Sequence, residues 1–243
     1  MFEQLHNLDG QTVVITGANG AIAKAAAKRL SSIGATVIGI ARTNNDELHQ
    51  LYDRVYIADV TDTTAVSVVA KDVPRCDVLI NNAGFFEPGQ IQSEEDGVLE
   101  RQIETNLYSA YHLTRALLPK IPPAGHIFNM CSVASIIPYI DGGSYCISKF
   151  ALLGFSKVLR EELKVHQIKV TSILPGATLT NSWAGVNLPK ERFIDADELA
   201  QLQASQEEAD RIKRSARVDQ TLTIFHRAQV SVAIRALSEQ FGS

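Results

Sequence analysis

Paired cysteines, long apolar runs and a dominant charge are all missing from this sequence. Three cysteines in 243 residues (Cys76, Cys131 and Cys146) are odd in number and unpaired in spacing, so a disulfide framework is excluded and reduced thiols in a cytosol are expected. No apolar stretch approaches the ~20 residues that cross a bilayer, and the opening Met1–Gly10 lacks the basic region and apolar core of a signal peptide. No membrane partner is expected. With a net charge of -4, the chain carries no basic surplus for nucleic acid. The six histidines are scattered without ligand spacing, so no metal site is expected. Tryptophan appears once, as Trp183.

What is present is the composition of a globular protein, 45% hydrophobic and 21% charged, at a length that buries a core without staples. Short apolar runs alternate with helical patterns: strands at Thr12–Thr16, Ala35–Ile40, Arg54–Ala58, Asp77–Ile80, His126–Met130 and Lys169–Leu174, and helices around Ile22–Ile33, Glu95–Leu118 (stopped by Pro119) and Tyr145–His166. Strands that are apolar throughout, joined by helical crossovers, predict an α/β fold: a Rossmann-type, doubly wound parallel sheet in a single domain spanning 1–243. After Gly176 the pattern loosens. Thr221–Phe225 is a candidate seventh strand, Ala196–Ser215 and Arg227–Phe241 are helix-like, and Glu207–Arg217 reads as a solvated helix face.

Thr16–Ala23 (TGANGAIA) lies between the first strand and first helix, where an open α/β sheet receives a dinucleotide pyrophosphate at a helix N-terminus. Gly17, Asn19, Gly20 and Ile22 are its candidate contacts. At the end of the second strand, an acid would bind the ribose 2′-hydroxyl of NAD(H), whereas an arginine accommodates a 2′-phosphate. Here Arg42 and Thr43 stand there, with Asp46 and Glu47 on the helix that follows, so NADP(H) is favoured over NAD(H).

Tyr145 and Lys149 are four residues apart at the start of a helix and share a face. A phenol titrates near ~10, and a neighbouring ammonium lowers that value toward the range in which protons move to and from an alcohol. Ser132 follows the fifth strand, Asn81-Asn82-Ala83-Gly84 closes the fourth and Pro175-Gly176 follows the sixth, so all should gather at the carboxyl edge of the sheet. Asn106, inside the long helix, is the exception.

With these motifs the chain resembles the short-chain dehydrogenase/reductase family in its short single-domain branch, over about Leu8–Thr180. The resemblance implies an NAD(P)-dependent oxidoreductase acting on a small or medium carbonyl/alcohol pair. It implies Tyr145 as general acid/base, and Lys149 lowering the Tyr145 pKa while holding the nicotinamide ribose. Ser132 would hold the substrate oxygen, and Asn106 would kink its helix and hold a water that relays protons from Lys149. Asp59 and Val60 match the adenine-contacting pair, Asn82, with Ala83 and Gly84, the strand end beside the cofactor, and Thr180 the contact to the carboxamide. Pro175 and Gly176 line the same site. A homodimer or homotetramer is also implied, with 181–219 as a candidate substrate lid that includes Trp183.

Two departures stand out. The branch pattern T-G-x-x-x-G-x-G puts glycines where this chain has Ala21 and Ala23. Ala23 should be tolerated in helix–strand packing, while the Ala21 Cβ should lie near the pyrophosphate path and weaken cofactor binding. The Gly17/Gly20 spacing is instead similar to the longer branch that includes epimerases and dehydratases, which leaves a lyase or epimerase open. The altered glycines and an unfamiliar tail also leave open a non-catalytic, dinucleotide-binding regulatory or scaffold protein. Phe85 and Phe86 are pocket walls or core, Tyr139 borders the substrate, and Asp141 is read as turn chemistry with Gly142-Gly143. Cys146 is read as turned away from the Tyr145 face.

Overall fold

The computed structural model describes residues 8–175 and 221–224. Among these, seven strands form one parallel sheet: β1 (Thr12–Thr16), β2 (Thr36–Ala41), β3 (Arg54–Ile57), β4 (Val78–Asn81), β5 (His126–Met130), β6 (Lys169–Pro175) and β7 (Thr221–Ile224). Their order is β3-β2-β1-β4-β5-β6-β7. All six pairings are parallel, from Thr12 against Thr36 to Pro175 against Ile224. The candidate seventh strand is thus present as Thr221–Ile224. The proposed lid 181–219, Gly176, Thr180, Trp183 and the helix-like stretches Ala196–Ser215 and Arg227–Phe241 lie outside the described residues.

Alternation along β1 explains the two-faced core. Val13 and Ile15 point to one face and pack with Ala23, Ala27, Leu30, Leu48 and Tyr52 from α1 (Ala21–Ser31) and the α2 region (Asp46–Leu51). Val14 points to the other and packs with Val66 and Val69 of α3 (Thr63–Asp72), Leu113 and Leu117 of α5 (Ser109–Leu117) and Leu159 and Leu163 of α6 (Gly143–Leu163). Both faces are covered, as all-parallel sheets require, and each buried Val, Leu or Ile contributes roughly 1.5–3 kcal/mol.

The single long helix read over Glu95–Leu118 is three pieces. It begins later, as α4 (Val98–Ile103), passes through a π-helical turn at Glu104–Tyr108, and resumes as α5 before a 3-10 turn at Leu118–Lys120. Glu95, Asp96 and Gly97 are excluded because Gly97 starts α4 with φ 86°. Asn106 sits in the π turn. A π turn widens the helix by one residue and is frequent at functional sites. Pro119 ends the regular hydrogen-bond ladder as anticipated, inside the 3-10 turn.

The sheet reverses its winding between β1 and β4: from β1 the chain moves outward to β2 and β3, then returns to β4 on the other side. A crevice opens at the carboxyl edge of such a reversal. The turn after β1, the turn after β4 and the loop after β5 all end there.

Candidate active site

The β1–α1 turn is shaped by close contact with the end of β4. Gly17 has φ 65°, and a Cβ on it would lie 3.1 Å from both Ala83 Cα and Asn82 Nδ2. Thr16 Oγ1 accepts from the amides of Asn82 and Ala83, each at 2.9 Å, and Asn82 Nδ2 donates to Thr16 O at 3.0 Å. Asn82 therefore stitches β4 to β1. Thr16 is the reciprocal partner, a role that its place in the turn motif did not reveal.

The N-terminus of α1 has no side-chain cap and no acid in its first turn, whereas α2 is capped by Asn45 and α3 by Asp62. Amides left without an internal partner, at the positive end of the helix dipole, are the arrangement that accepts an anion. Ala21 is the exposed first residue of α1, with Ile22 next to it, while Ala23 is buried in the core. The alanine at 23 is thus packing material, as read from the sequence.

Asn19 ties this turn to the β2–α2 connection. Its Nδ2 donates to Thr43 O at 2.8 Å and Thr43 Oγ1 at 3.1 Å, and its Oδ1 accepts from Asn45 Nδ2 at 2.6 Å. Thr43 Oγ1 keeps its own hydrogen for a further acceptor. Arg42 is exposed. The Thr61 amide and hydroxyl, with a smaller contribution from Arg42, hold the Asp59 carboxyl below its usual value. Val60 beside it is buried. Of the nearby acids, Glu47 is engaged by Lys24 at 2.5 Å.

The catalytic candidates converge on the far side of the crevice. The Ser132 hydroxyl caps the short 3-10 turn Val133–Ser135, accepting from Ala134 N at 3.1 Å, and lies near enough to the Tyr145 phenol to lower its pKa. Lys149, buried on α6, places Nζ 5.8 Å from the Tyr145 ring centroid and donates to Met130 O at 3.0 Å. Asn106 is wholly buried: it accepts from Phe85 N at 2.9 Å and donates to Phe85 O at 3.1 Å and Ser148 Oγ at 2.9 Å. This corrects one reading from the sequence, which left Asn106 apart from the sheet edge. The π turn swings it inward, so that it clasps the chain just after Gly84.

Burial pushes the Tyr145 phenol up to about 12, opposed by the Ser132 hydroxyl. Burial pulls Lys149 down to about 8. The ammonium faces the phenol ring, and the Ser132 hydroxyl works against the rise in the phenol pKa.

Phe86 meets the Tyr145 ring edge-on at 4.8 Å, which decides its role as a wall of the site. Phe85 lends its backbone to Asn106. Asp141 takes φ 64°, as turn chemistry requires, and its Oδ1 also accepts from Gln90 Nε2 at 2.8 Å. Cys146 is buried against Gly142, and burial raises its thiol. Glu94 was missed altogether; it lies in the acidic run Glu94-Glu95-Asp96, which carries no motif. Its carboxylate reaches the first turn of α6.

Comparison with known proteins gives a consistent picture. The family model for short chain dehydrogenases matches residues 11–191. The 3-ketodihydrosphingosine reductase of Bacteroides thetaiotaomicron is 32% identical over 172 residues, which are 68% of this chain and 63% of that protein. The chain thus spans less than two thirds of that relative's length. The 3-oxoacyl-(acyl-carrier-protein) reductase of Haemophilus influenzae is 29% identical over 214 residues, covering 79% of this chain and 88% of that one. A metagenomic short-chain oxidoreductase solved in complex with NADP superposes with a TM-score of 0.63, with 32% identity over 70% of this chain and 83% of its own. A short chain dehydrogenase from Burkholderia cenocepacia J2315 has a TM-score of 0.72 at 24% identity, over 92% of this chain and 99% of its own, and shares the fold.

Proposed function

The chain belongs to the short-chain dehydrogenase/reductase family, and on that premise we propose that it transfers hydride between NADP(H) and a small or medium carbonyl/alcohol pair. The observation that carries this reading is the cluster at the crevice: the Ser132 hydroxyl beside the Tyr145 phenol, with Lys149 over the same ring. The NADP complex of the metagenomic oxidoreductase supports the choice of cofactor, as do Arg42 and Thr43, the cation and hydroxyl that follow β2.

The residues present fit that cofactor. The uncapped start of α1, with Gly17, Asn19, Gly20 and Ile22, would receive the pyrophosphate, and Arg42 and Thr43 the 2′-phosphate. Asp59 and Val60 would flank the adenine. Asn82, Ala83, Gly84, Pro175, Gly176 and Thr180 would line the nicotinamide end, with Lys149 on its ribose. When bound, NADP(H) supplies or accepts the hydride. In reduction, the Tyr145 phenol donates its proton to the carbonyl oxygen while the Ser132 hydroxyl holds that oxygen. Lys149, still charged at neutral pH, stabilises the phenolate left behind. Asn106 fixes the strand-end turn against α6 and so sets the distance between the two.

The wider reading is a single domain, with 181–219 as its lid, in a cytoplasmic homodimer or homotetramer. Leu99, Tyr108 and Tyr111 on the α4–α5 segment and Ile147, Phe150 and Val158 on α6 are large apolar side chains left exposed, which supports self-association. Sedimentation of the purified chain tests this, and a monomer rejects it.

The function itself is tested by NADPH oxidation with a panel of aldehydes, ketones and quinones. At least one should be reduced, and Tyr145→Phe should abolish that turnover while NADPH still binds. Consumption of none of them, with NADPH bound, selects a non-catalytic dinucleotide-binding protein instead.

A further inference from the structure

The helix that carries Tyr145 and Lys149 lacks a cap of its own. Gly142 stands at its N-cap and offers no side chain. The missing acceptor comes from elsewhere: Glu94, from the loop after β4, accepts from Ser144 N at 2.8 Å through Oε1, and its other oxygen accepts from the Ser144 hydroxyl. An N-cap side chain ordinarily serves the second or third amide of a helix. Ser144 is the second residue of α6, so Glu94 fills that place across 50 residues of chain.

Space has been cleared for this reach. A Cβ on Gly143 would overlap both the Glu94 carboxylate and Gly89 O, and one on Gly89 would lie 2.8 Å from Glu94 Cγ. The two loops are also paired by backbone. Gly89 bridges Gly142 in parallel, with Gly89 N donating to Asp141 O at 2.9 Å, and Gln90 Nε2 donates to Asp141 Oδ1 at 2.8 Å. The segment that presents Glu94 also presents Phe86, whose ring edge meets Tyr145. Tyr145 directly follows Ser144. One loop therefore holds the catalytic tyrosine twice, at its ring and at the amide before it.

We propose that Glu94 is a positioning residue for the reaction: by capping α6 from outside, it sets where the Tyr145 hydroxyl stands relative to Ser132. A cap that served stability alone would hold the helix end without regard to the reacting atoms. Here the capped residue adjoins Tyr145, and the cap arrives with the wall of the active site. Loss of the carboxylate frees Ser144 N and its hydroxyl and lets the first turn of α6 shift. A displacement on the order of 1 Å at a reacting group costs up to about a hundredfold in rate.

This inference rests on the proposed oxidoreductase activity, and the experiment separates the two. The full chain, Glu94→Ala, Glu94→Gln, Glu94→Asp, Glu95→Ala and Tyr145→Phe are compared on whichever carbonyl of the panel the wild type reduces fastest with NADPH. Glu94→Ala should lower kcat at least about tenfold, while KM for NADPH moves by less than about threefold. Its pH profile should shift, because the phenol moves away from the Ser132 hydroxyl. Glu94→Gln, which keeps an oxygen for Ser144 N, should recover most of the rate. Glu94→Asp, one methylene short, should not. Glu95→Ala removes the same charge from an exposed neighbour and should leave kcat unchanged.

If Glu94→Ala or Glu94→Asp melts at a lower temperature with kcat and pH profile intact, Glu94 is an ordinary cap and the inference is overturned. Should Glu94→Ala be insoluble, Glu94→Asp decides by the same readout. Wild-type turnover in Tyr145→Phe, or no turnover by the wild type at all, defeats the functional reading, and the inference falls with it.

Discussion

Gly84 lies so close to Asn106 that a Cβ on it would stand 2.8 Å from Asn106 Oδ1 and 3.4 Å from Lys149 Nζ. The turn after β4, the π turn and the catalytic helix thus meet with no room for a methyl group. Gly84→Ala must push Asn106 off the Phe85 backbone. Overpacking of this kind costs about 1–3 kcal/mol, which denaturant unfolding should register, and kcat should fall because Asn106 bonds Ser148, the neighbour of Lys149 on α6.

The activity should depend on pH through Lys149. Its folded pKa is lowered to about 8 while that of Tyr145 is raised to about 12, so below pH 8 both groups carry their protons. Carbonyl reduction needs a protonated phenol and a charged lysine. The rate should therefore be flat below pH 8 and fall as pH rises through it, and a stopped-flow pH profile of the NADPH-dependent step checks this. Lys149→Arg, whose guanidinium keeps its charge, should lose that limb even where its overall rate is lower.

Arg42 should govern the choice between cofactors. No acid ends β2, and Glu47 is engaged by Lys24. Charge-assisted hydrogen bonds are worth roughly 1.5–3 kcal/mol, so Arg42→Ala should weaken NADPH about 10- to 100-fold and leave NADH nearly unchanged. Titration of the two cofactors by fluorescence measures both. Equal affinities in the wild type would remove the assignment.

His126 should make the fold sensitive to acid at the end of the sheet away from the crevice. It is buried, its Nε2 pairs with Thr171 Oγ1 at 2.8 Å, and its Nδ1 has no partner among the described residues. Burial, then Lys169 and Arg160, pull its pKa from 6.5 to about 3. The unfolded chain binds the proton and the folded chain does not, so stability is full above pH 6.5 and falls as pH drops toward 3. The slope approaches about 1.4 kcal/mol per pH unit. Unfolding of wild type and His126→Gln between pH 7 and pH 4 should show the shallower dependence in the variant.

The fold was legible because its signals are local. Apolar strands such as TVVIT and DVLI, separated by helical patterns, demand a parallel sheet covered on both faces, and residues four apart on a helix must share a side. Tyr145, Lys149, Ser132 and the glycine turn could thus be assigned to one sheet edge without coordinates. Boundaries were less secure: Gly97 in the left-handed region starts α4 three residues later than the apolar pattern suggested.

Other features depended on contacts between segments far apart in the chain. Nothing in the sequence around Asn106 says that a π turn will rotate it onto Phe85, because that turn is stabilised by partners 21 and 42 residues away. The direction of the Tyr145 pKa is another such case. Spacing placed an ammonium beside a phenol, but burial outweighs it, and burial belongs to the packed structure. Glu94 is the clearest example: one acid in an exposed run, it acquires a task only when the loop after β4 folds back onto α6. The sequence by itself determined which elements form and which chemistry-bearing groups reach the carboxyl edge, since periodicity and short spacing are local. Only the tertiary structure decided how those groups are held and charged, because hydrogen bonds, desolvation and caps arise between segments that the sequence keeps apart.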